Sequence, residues 1–396
     1  MEYVNLDKLV WFQEGPGVRN YQYVDKGIKL INVTNLVNGK LKLHLTNRFI
    51  SEEEANGKYK HFMCDIGDLV IASSGITYDT LDKKIAFVTE KDLPLCMNTS
   101  VIRFKPLDNN VCLDFIYYFL KSKKYKNQIS KLMTGSAQLN YGPSHLHKVK
   151  IPLYSFDKQL KIAKELKKID STILICHNNL ENLDNIVKSQ FIEMFGDVIR
   201  NDKKFEECSF KDFVNQMNIG PFGSDLKNNC FVSKKEGYCV VYEQKNAIEK
   251  NTNGDFKYIS KDKYEKMKRF DVGPGDIIVS CRGTIGKCFV LPNNAPHGII
   301  HSSLMMIKPK KEVNNKFLVF LLENILSEQN ELGSGVKMAI KANELAKIKT
   351  IRPSKKLQDE FIDIVEQIDK SKFIIQKQIK LLEELLEKKM NEYFGD

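Results

Sequence analysis

The stretch Gly283-Thr284-Ile285-Gly286-Lys287 comes nearest to a familiar catalytic pattern, a glycine turn closed by a lysine. A phosphate-cradling loop needs four residues between its glycines and a Ser or Thr after the lysine to hold magnesium. Here two residues separate the glycines and Cys288 follows, so the stretch reads as a turn. Asp276 and Lys287 flank it as a nuclease carboxylate and lysine would, yet no second acid stands beside them. No Gly-x-Gly-x-x-Gly opens a dinucleotide-binding unit, and no Asp/Asn-Pro-Pro-Tyr/Phe stretch supplies an amino-methyltransferase centre. The seven histidines, His145 and His147 among them, keep no recognisable spacing to Cys or Ser. The nine cysteines contain no Cys-x-x-Cys pair, and an odd, scattered set fits the buried reduced thiols of a cytosolic protein. The expectation is a chain with no catalytic residue and no metal.

The elements that carry these residues occur twice. Val4-Asn5-Leu6-Asp7-Lys8-Leu9-Val10 aligns with Cys208-Ser209-Phe210-Lys211-Asp212-Phe213-Val214, and Phe49-Ile50-Ser51 with Tyr258-Ile259-Ser260. Gly67-Asp68-Leu69-Val70-Ile71-Ala72 aligns with Gly275-Asp276-Ile277-Ile278-Val279-Ser280, and Asn98-Thr99-Ser100-Val101 with His301-Ser302-Ser303-Leu304. Lys105-Pro106 answers Lys308-Pro309, and Gly135-Ser136 answers Gly333-Ser334. The offset drifts between 198 and 209, as unequal loops require, then locks at 199 for Gln159 on Gln358, Ile169-Asp170 on Ile368-Asp369 and Phe195-Gly196-Asp197 on Phe394-Gly395-Asp396. Such matches in a constant order mark a duplication.

Each copy has two parts. Residues 1–156 and 196–355 alternate short apolar runs with Gly, Asn and Ser, the pattern of strands and turns, with a shorter helical pattern at 113–131 and 316–332. Residues 157–195 and 356–394 contain neither Gly nor Pro, so nothing breaks a helix about 58 Å long. Leu166, Ile169, Ile173, Cys176, Leu180, Leu183, Val187, Gln190 and Met194 step by three and four, a heptad seam. In the second copy the seam runs through Val365, Ile368, Lys372, Ile375, Ile379, Leu382, Leu386, Lys389 and Tyr393. Two such stripes are expected to bury each other as an antiparallel coiled coil, with one globular domain at each end and an approximate two-fold axis. The fold class is therefore α+β: two β-rich domains separated by a two-helix spacer that fills 157–195 and 356–396.

Charge and hydropathy narrow the partners. The chain is 396 residues, 42% hydrophobic, with a net charge of +11. That apolar share excludes wholesale disorder, and no run approaches the roughly 18–20 apolar residues of a membrane span. Met1-Glu2-Tyr3-Val4-Asn5 does not read as a signal peptide, so the expected place is the cytoplasm and no membrane partner is expected. The two helices hold six Lys against six acids and seven against nine. Everything else holds 48 basic against 35 acidic residues, an excess of +13, which is where a polyanion would bind.

These features resemble the specificity subunit of type I restriction-modification systems. The carriers are the paired runs Ile66-Gly67-Asp68-Leu69-Val70-Ile71 and Gly273-Pro274-Gly275-Asp276-Ile277-Ile278-Val279, and the turn Ser280-Cys281-Arg282-Gly283-Thr284-Ile285-Gly286-Lys287. A further carrier is the helix start Ile151-Pro152-Leu153-Tyr154-Ser155-Phe156-Asp157-Lys158-Gln159 followed by Ile162-Ala163. The second copy shifts the proline, as Pro353, and loses Ile-Ala; the first replaces the Gly-Thr-Ile-Gly-Lys turn with Ser73-Ser74-Gly75-Ile76-Thr77, which implies a different loop shape. The resemblance implies two target-recognition domains, each reading half of a bipartite asymmetric site on double-stranded DNA. It implies helices that act as a ruler, and two adenine-N6 methyltransferase subunits docked on them, with restriction subunits in some complexes. No cofactor is then expected on this chain; S-adenosylmethionine belongs to the methyltransferase partners. A stand-alone DNA methyltransferase or endonuclease with duplicated recognition domains is the alternative, against which the missing motifs count. A coiled-coil tether is a third reading, against which the +13 counts.

Base reading needs Arg, Lys, Asn, Gln, Ser or Thr on loops that can enter a groove. In the first domain such loops offer Arg19, Ser73, Ser74, Asn98, Gln138 and Tyr141; in the second, Ser224, Lys227, Arg282, Thr284, Lys287, Ser302 and Lys337. Arg19 and Arg282 lead, because an Arg on a Gly-rich loop reaches guanine or phosphate equally well. Trp11, Tyr21 and Tyr23 are expected in a packed core and not against bases.

Overall fold

The computed structural model describes residues 2–133, 140–332 and 341–395. The two stretches free of Gly and Pro form helices of 40 residues, Phe156–Phe195 and Lys355–Phe394, each starting one residue before the expected position. The chain divides into two compact units, Met1–Asn179 with Ile375–Asp396, and Leu180–Ile374. Each unit therefore takes a strand-rich segment together with half of each long helix, so the unit borders cut through the helices and not their ends.

In the first unit an antiparallel sheet runs in the order Val10–Glu14, Val101–Pro106, Leu69–Ala72, Ile85–Phe87. Leu69–Ala72 is an unbroken apolar run and all four residues are buried, as a strand covered on both faces requires. A smaller sheet pairs Phe49–Ile50 with Ile28–Ile31, and Ile28–Ile31 in parallel with Leu95–Met97. A ribbon of Tyr3–Asn5 and Lys150–Pro152 ties the start of the chain to the approach of the first long helix.

The second unit repeats this topology. Its main sheet runs Val214–Ile219, Leu304–Pro309, Ile277–Ser280, Cys288–Val290, and its smaller sheet carries one more strand, Asp271–Val272. The ribbon recurs as Glu206–Ser209 with Lys349–Arg352. The repeat extends to single hydrogen bonds. The Asp68 carboxylate accepts from the Asp65 N–H at 2.8 Å, and Asp276 accepts from the Gly273 N–H at 2.9 Å. Lys105 and Lys308 reach these acids at 3.4 and 3.5 Å. Gln159 and Gln358, both buried, accept from the N–H of Cys112 and of Asn314 at 3.0 Å, and donate to the carbonyls of Tyr154 and Pro353 at 3.0 Å. One glutamine thus clamps the start of each long helix to its domain, even where the flanking proline has shifted.

The copies differ at the shorter helix. Residues 315–332 form one helix, but the first copy breaks into Leu113–Lys121 and Lys123–Leu132. The break is chemical: the Ser122 hydroxyl accepts from the Tyr125 N–H and donates to the Phe119 carbonyl, capping a new helix in place of continuing the old.

The seam follows the heptads. Leu166, Ile169, Val187, Val365 and Ile379 are buried, and Ile173, Leu180, Leu183, Ile368, Ile375, Leu382 and Leu386 are half-buried. Off the seam, Leu174, Ile175, Ile186 and Leu381 are exposed. Within each unit the two helix halves run in opposite directions. In the first, Lys158 lies over the Tyr393 ring while Glu165 pairs with Lys389 at 3.3 Å. In the second, Asp184 pairs with Lys372 at 2.5 Å and Phe191 packs edge-on against Phe361.

Candidate nucleic-acid interface

Antiparallel pairing decides which loops meet. In the second domain the end of Val214–Ile219 lies beside the start of Leu304–Pro309, which lies beside the end of Ile277–Ser280. Backbone bonds from Gly220 N–H to Leu304 and from Cys281 N–H to Ser303 close this edge. Loops 220–230, 281–287 and 301–303 therefore gather at one end of one sheet. In the first domain the matching bonds run from Gly15 to Val101 and from Ser73 to Ser100, and gather loops 15–22, 73–84 and 98–100. Asn140 and Tyr141 join them: the Tyr141 N–H bonds the Ser73 carbonyl, and its hydroxyl donates to the Ala72 carbonyl at 2.8 Å.

Glycine is required at two places in this arrangement. A Cβ on Gly15 or Gly220 would fall 2.2 Å from the carbonyl oxygen of Asn98 or His301, so only glycine lets the neighbouring loops touch. Gly75 and Gly283 hold φ of +63° and +65°, so both turns start alike although their sequences differ. They part further on: twelve residues separate Ala72 from Ile85, but seven separate Ser280 from Cys288.

Six of the candidate side chains face solvent on these loops: Arg19 in the first domain, and Ser224, Lys227, Arg282, Thr284 and Lys287 in the second. Ser74 is half-buried. Four do not meet the expectation of facing DNA. Ser73, Asn98, Tyr141 and Ser302 are buried, because they sit where strands converge and a polar group there must find its partner inside the fold. Asn98 accepts from the N–H groups of Val18 and Thr99 and donates to Asn32, and Ser73 bonds Glu14. These residues shape the loops that others present. Gln138 and Lys337, with the Gly135-Ser136 and Gly333-Ser334 match, lie outside the described residues.

Two aromatic expectations also change. Tyr21 is 87% exposed and Trp11 42%, so neither is a core residue, while Tyr23 is half-buried beneath Arg48. Phe222, on the Gly220-Pro221 loop, is 75% exposed and was not singled out by residue type. An aromatic flanked by Pro and Gly was the signal available for it.

Local electrostatics are basic. Burial holds His301 below its ordinary value, and Lys257 and Arg282 push the same way against Glu243. The Arg282 carbonyl accepts from Gln244, which also bonds the Thr284 carbonyl at 3.2 Å, so this turn is braced from behind while its side chains stay outside. Asp276 and Lys287 stand at opposite ends of the strand Ile277–Ser280, and burial raises Asp276 while it ties the Gly273 turn; together they make no nuclease pair. Eight of the nine cysteines are buried and Cys230 is half-buried. Burial pushes the thiols of Cys96, Cys239 and Cys281 up to about 12. Among the described residues no cluster of three metal-ligating side chains occurs, and no helix is long and apolar enough to cross a membrane.

Comparison with known proteins agrees with this geometry. The family described as the type I restriction modification DNA specificity domain matches twice, at residues 20–185 and 226–385. The chain is similar to the type I restriction enzyme MjaVIII specificity subunit of Methanocaldococcus jannaschii, 29% identical over 189 residues. That match covers 47% of this chain and 43% of the relative, so it spans less than half the relative's length. It is also similar to the putative type I restriction enzyme MjaX specificity subunit of the same organism, 25% identical over 82% of this chain and 77% of the relative. The fold resembles the crystal structure of the type I restriction-modification S subunit from M. genitalium, with TM-score 0.51 and 16% identity, covering 100% of this chain and 96% of that one. It resembles more closely a chain solved to explain complex assembly and conformational transition of the type I R-M system, with TM-score 0.64 and 13% identity, covering 100% and 98%. With two matched recognition modules over most of its length, this chain belongs to the type I restriction-modification specificity subunits, the family that reads DNA sequence.

Proposed function

We propose that each domain reads one half of a bipartite site on double-stranded DNA, through the loops gathered at its sheet edge. The observation that carries this is the contrast between the copies: the same strands, clamps and glycines hold loops that differ in length and in exposed side chains. Equal scaffolds with unequal loops are what two different half-site words demand. Arg282, Thr284, Ser224, Lys227 and Lys287 are the contacts of the second domain, and Arg19 with Ser74 those of the first. The two long helices set the spacing between the halves. Two adenine-N6 methyltransferase subunits are the partners, joined in some complexes by restriction subunits, and this cytoplasmic chain is itself non-catalytic. S-adenosylmethionine is held by the methyltransferases, which act on adenines flipped out of the stack.

The test is methyl transfer from S-adenosylmethionine to mixed-sequence DNA, measured with the chain alone and with its methyltransferase partner. The expected result is adenine methylation at one bipartite motif by the complex and none by the chain. Transfer by the chain alone overturns the non-catalytic reading.

A further inference from the structure

Among the large apolar side chains of the described residues, Tyr21 at 87% and Phe222 at 75% are the two most exposed. They occupy the same connection of each domain at different positions, Tyr21 six residues after Gly15 and Phe222 two after Gly220. Each lies in the connection that leaves the first long strand of its domain, after Val10–Glu14 through Gly15-Pro16 and after Val214–Ile219 through Gly220-Pro221. Each connection is seated on the sheet by its glycine, which packs on the carbonyl of Asn98 or His301.

The supports beyond that anchor are firm. Beside Tyr21, Val18 is buried, and the Gln22 amide donates to Glu54 at 2.7 Å and to the Tyr59 hydroxyl at 2.9 Å. Beside Phe222, Leu226 is buried and the Asp225 N–H bonds the Phe222 carbonyl at 2.9 Å. Both rings stand among cations. Arg19 shares the Tyr21 loop and Lys58 lies over the ring of Tyr59, which Gln22 next to Tyr21 bonds; Lys227 shares the Phe222 loop, and Arg282 stands on the adjoining one. An aromatic ring held out in water next to positive charge matches the π-face of a nucleic-acid base beside its phosphates.

We propose that Tyr21 and Phe222 are the base-step residues of the two half-sites, each ring stacking on or wedging between bases while the neighbouring Arg and Lys side chains hold edges and phosphates. This rests on the reading of the two domains as DNA-recognition modules. The two rings are not interchangeable in every respect: the tyrosine hydroxyl adds a hydrogen bond that phenylalanine lacks.

The test uses the complex assembled with its methyltransferase partner, and a duplex of the methylated motif carrying 2-aminopurine in one half or the other, at a position away from the adenine that is flipped for methylation. Tyr21→Ala and Phe222→Ala are each expected to weaken binding between about 5- and 100-fold. Each is also expected to abolish the fluorescence rise of unstacking in its own half only, with the salt dependence of binding unchanged because no phosphate contact is lost. Tyr21→Phe and Phe222→Tyr are expected to keep the fluorescence rise. Alanine variants that bind and unstack DNA like the parent overturn the proposal. Variants that lose the methyltransferase partner instead overturn it too, by making these rings a protein contact. Thermal melting of each variant guards against misfolding, which exposed positions should not cause. A parent complex that binds every duplex equally defeats the recognition reading itself, a result distinct from a silent alanine substitution.

Discussion

Arg103 and Arg282 do opposite work. Arg103 is buried on the central face of the first sheet, 3.2 Å from Asp68, and donates to the carbonyls of Met63 and His61 and to Gln13. Its counterpart in strand register is Met306, beside Ile278 as Arg103 is beside Val70, so the second domain fills the place without charge. Arg103→Ala leaves Asp68 buried with one partner fewer and is expected to cost about 3–5 kcal/mol in urea unfolding; a loss below about 1 kcal/mol contradicts the account. Arg282→Ala is expected to leave stability alone and to cost about 1–3 kcal/mol in DNA binding, relaxing one base position if it reads guanine. Equal weakening on all sequences assigns it to phosphate. His301 adds a pH dependence. Its folded value lies below the ordinary one, so the unfolded chain binds the proton more tightly. The stability this contributes is present above about pH 6.5 and is lost as pH falls through the lower folded value. His301→Asn is expected to flatten that part of the melting-temperature profile between pH 7 and 5.

At the scale of elements, the long helices were legible to within one residue because a heptad is local: seam and solvent positions are decided by spacing three and four along one helix. The doubled strands were legible through their order, although no single run announced its partners. Pairing depends on which edge each strand meets, and that is why Ser73, Asn98, Tyr141 and Ser302 read as loop-surface residues when convergence of the strands buries them. The break at Ser122 was missed for a related reason, since a serine inside an apolar helical pattern caps only when the chain turns there. Exposure of Tyr21 was missed because aromatic residues are more often interior, and burial is a property of the whole domain. The clamp at the helix start yields its own prediction. Gln159→Leu leaves the buried Cys112 N–H without an acceptor and is expected to cost about 1–3 kcal/mol, read as a lower urea midpoint. Gln159→Glu can still accept that bond but loses the donor to the Tyr154 carbonyl and buries a carboxylate, so it too is expected to lower the midpoint.

At the scale of the whole molecule, the net +11 divides into +13 on the strand-rich segments and −2 on the helices, and the proposed placement of nucleic acid on the first rests on that split. The unit borders fall between Asn179 and Leu180 and between Ile374 and Ile375, within both helices. Four residues inserted after Asn178 and after Ile374 add roughly 6 Å of helix at 1.5 Å per residue. The expected outcome in methylation mapping is a longer permitted spacer with unchanged half-site words. Altered words would contradict the ruler. The most direct measurement of the central claim is genome-wide mapping of methyladenine in cells carrying the complex with the parent chain, Arg19→Ala or Arg282→Ala. The account predicts one bipartite motif for the parent, relaxed in one half by the first substitution and in the other half by the second. A single contiguous motif, or either substitution relaxing both halves together, would contradict it.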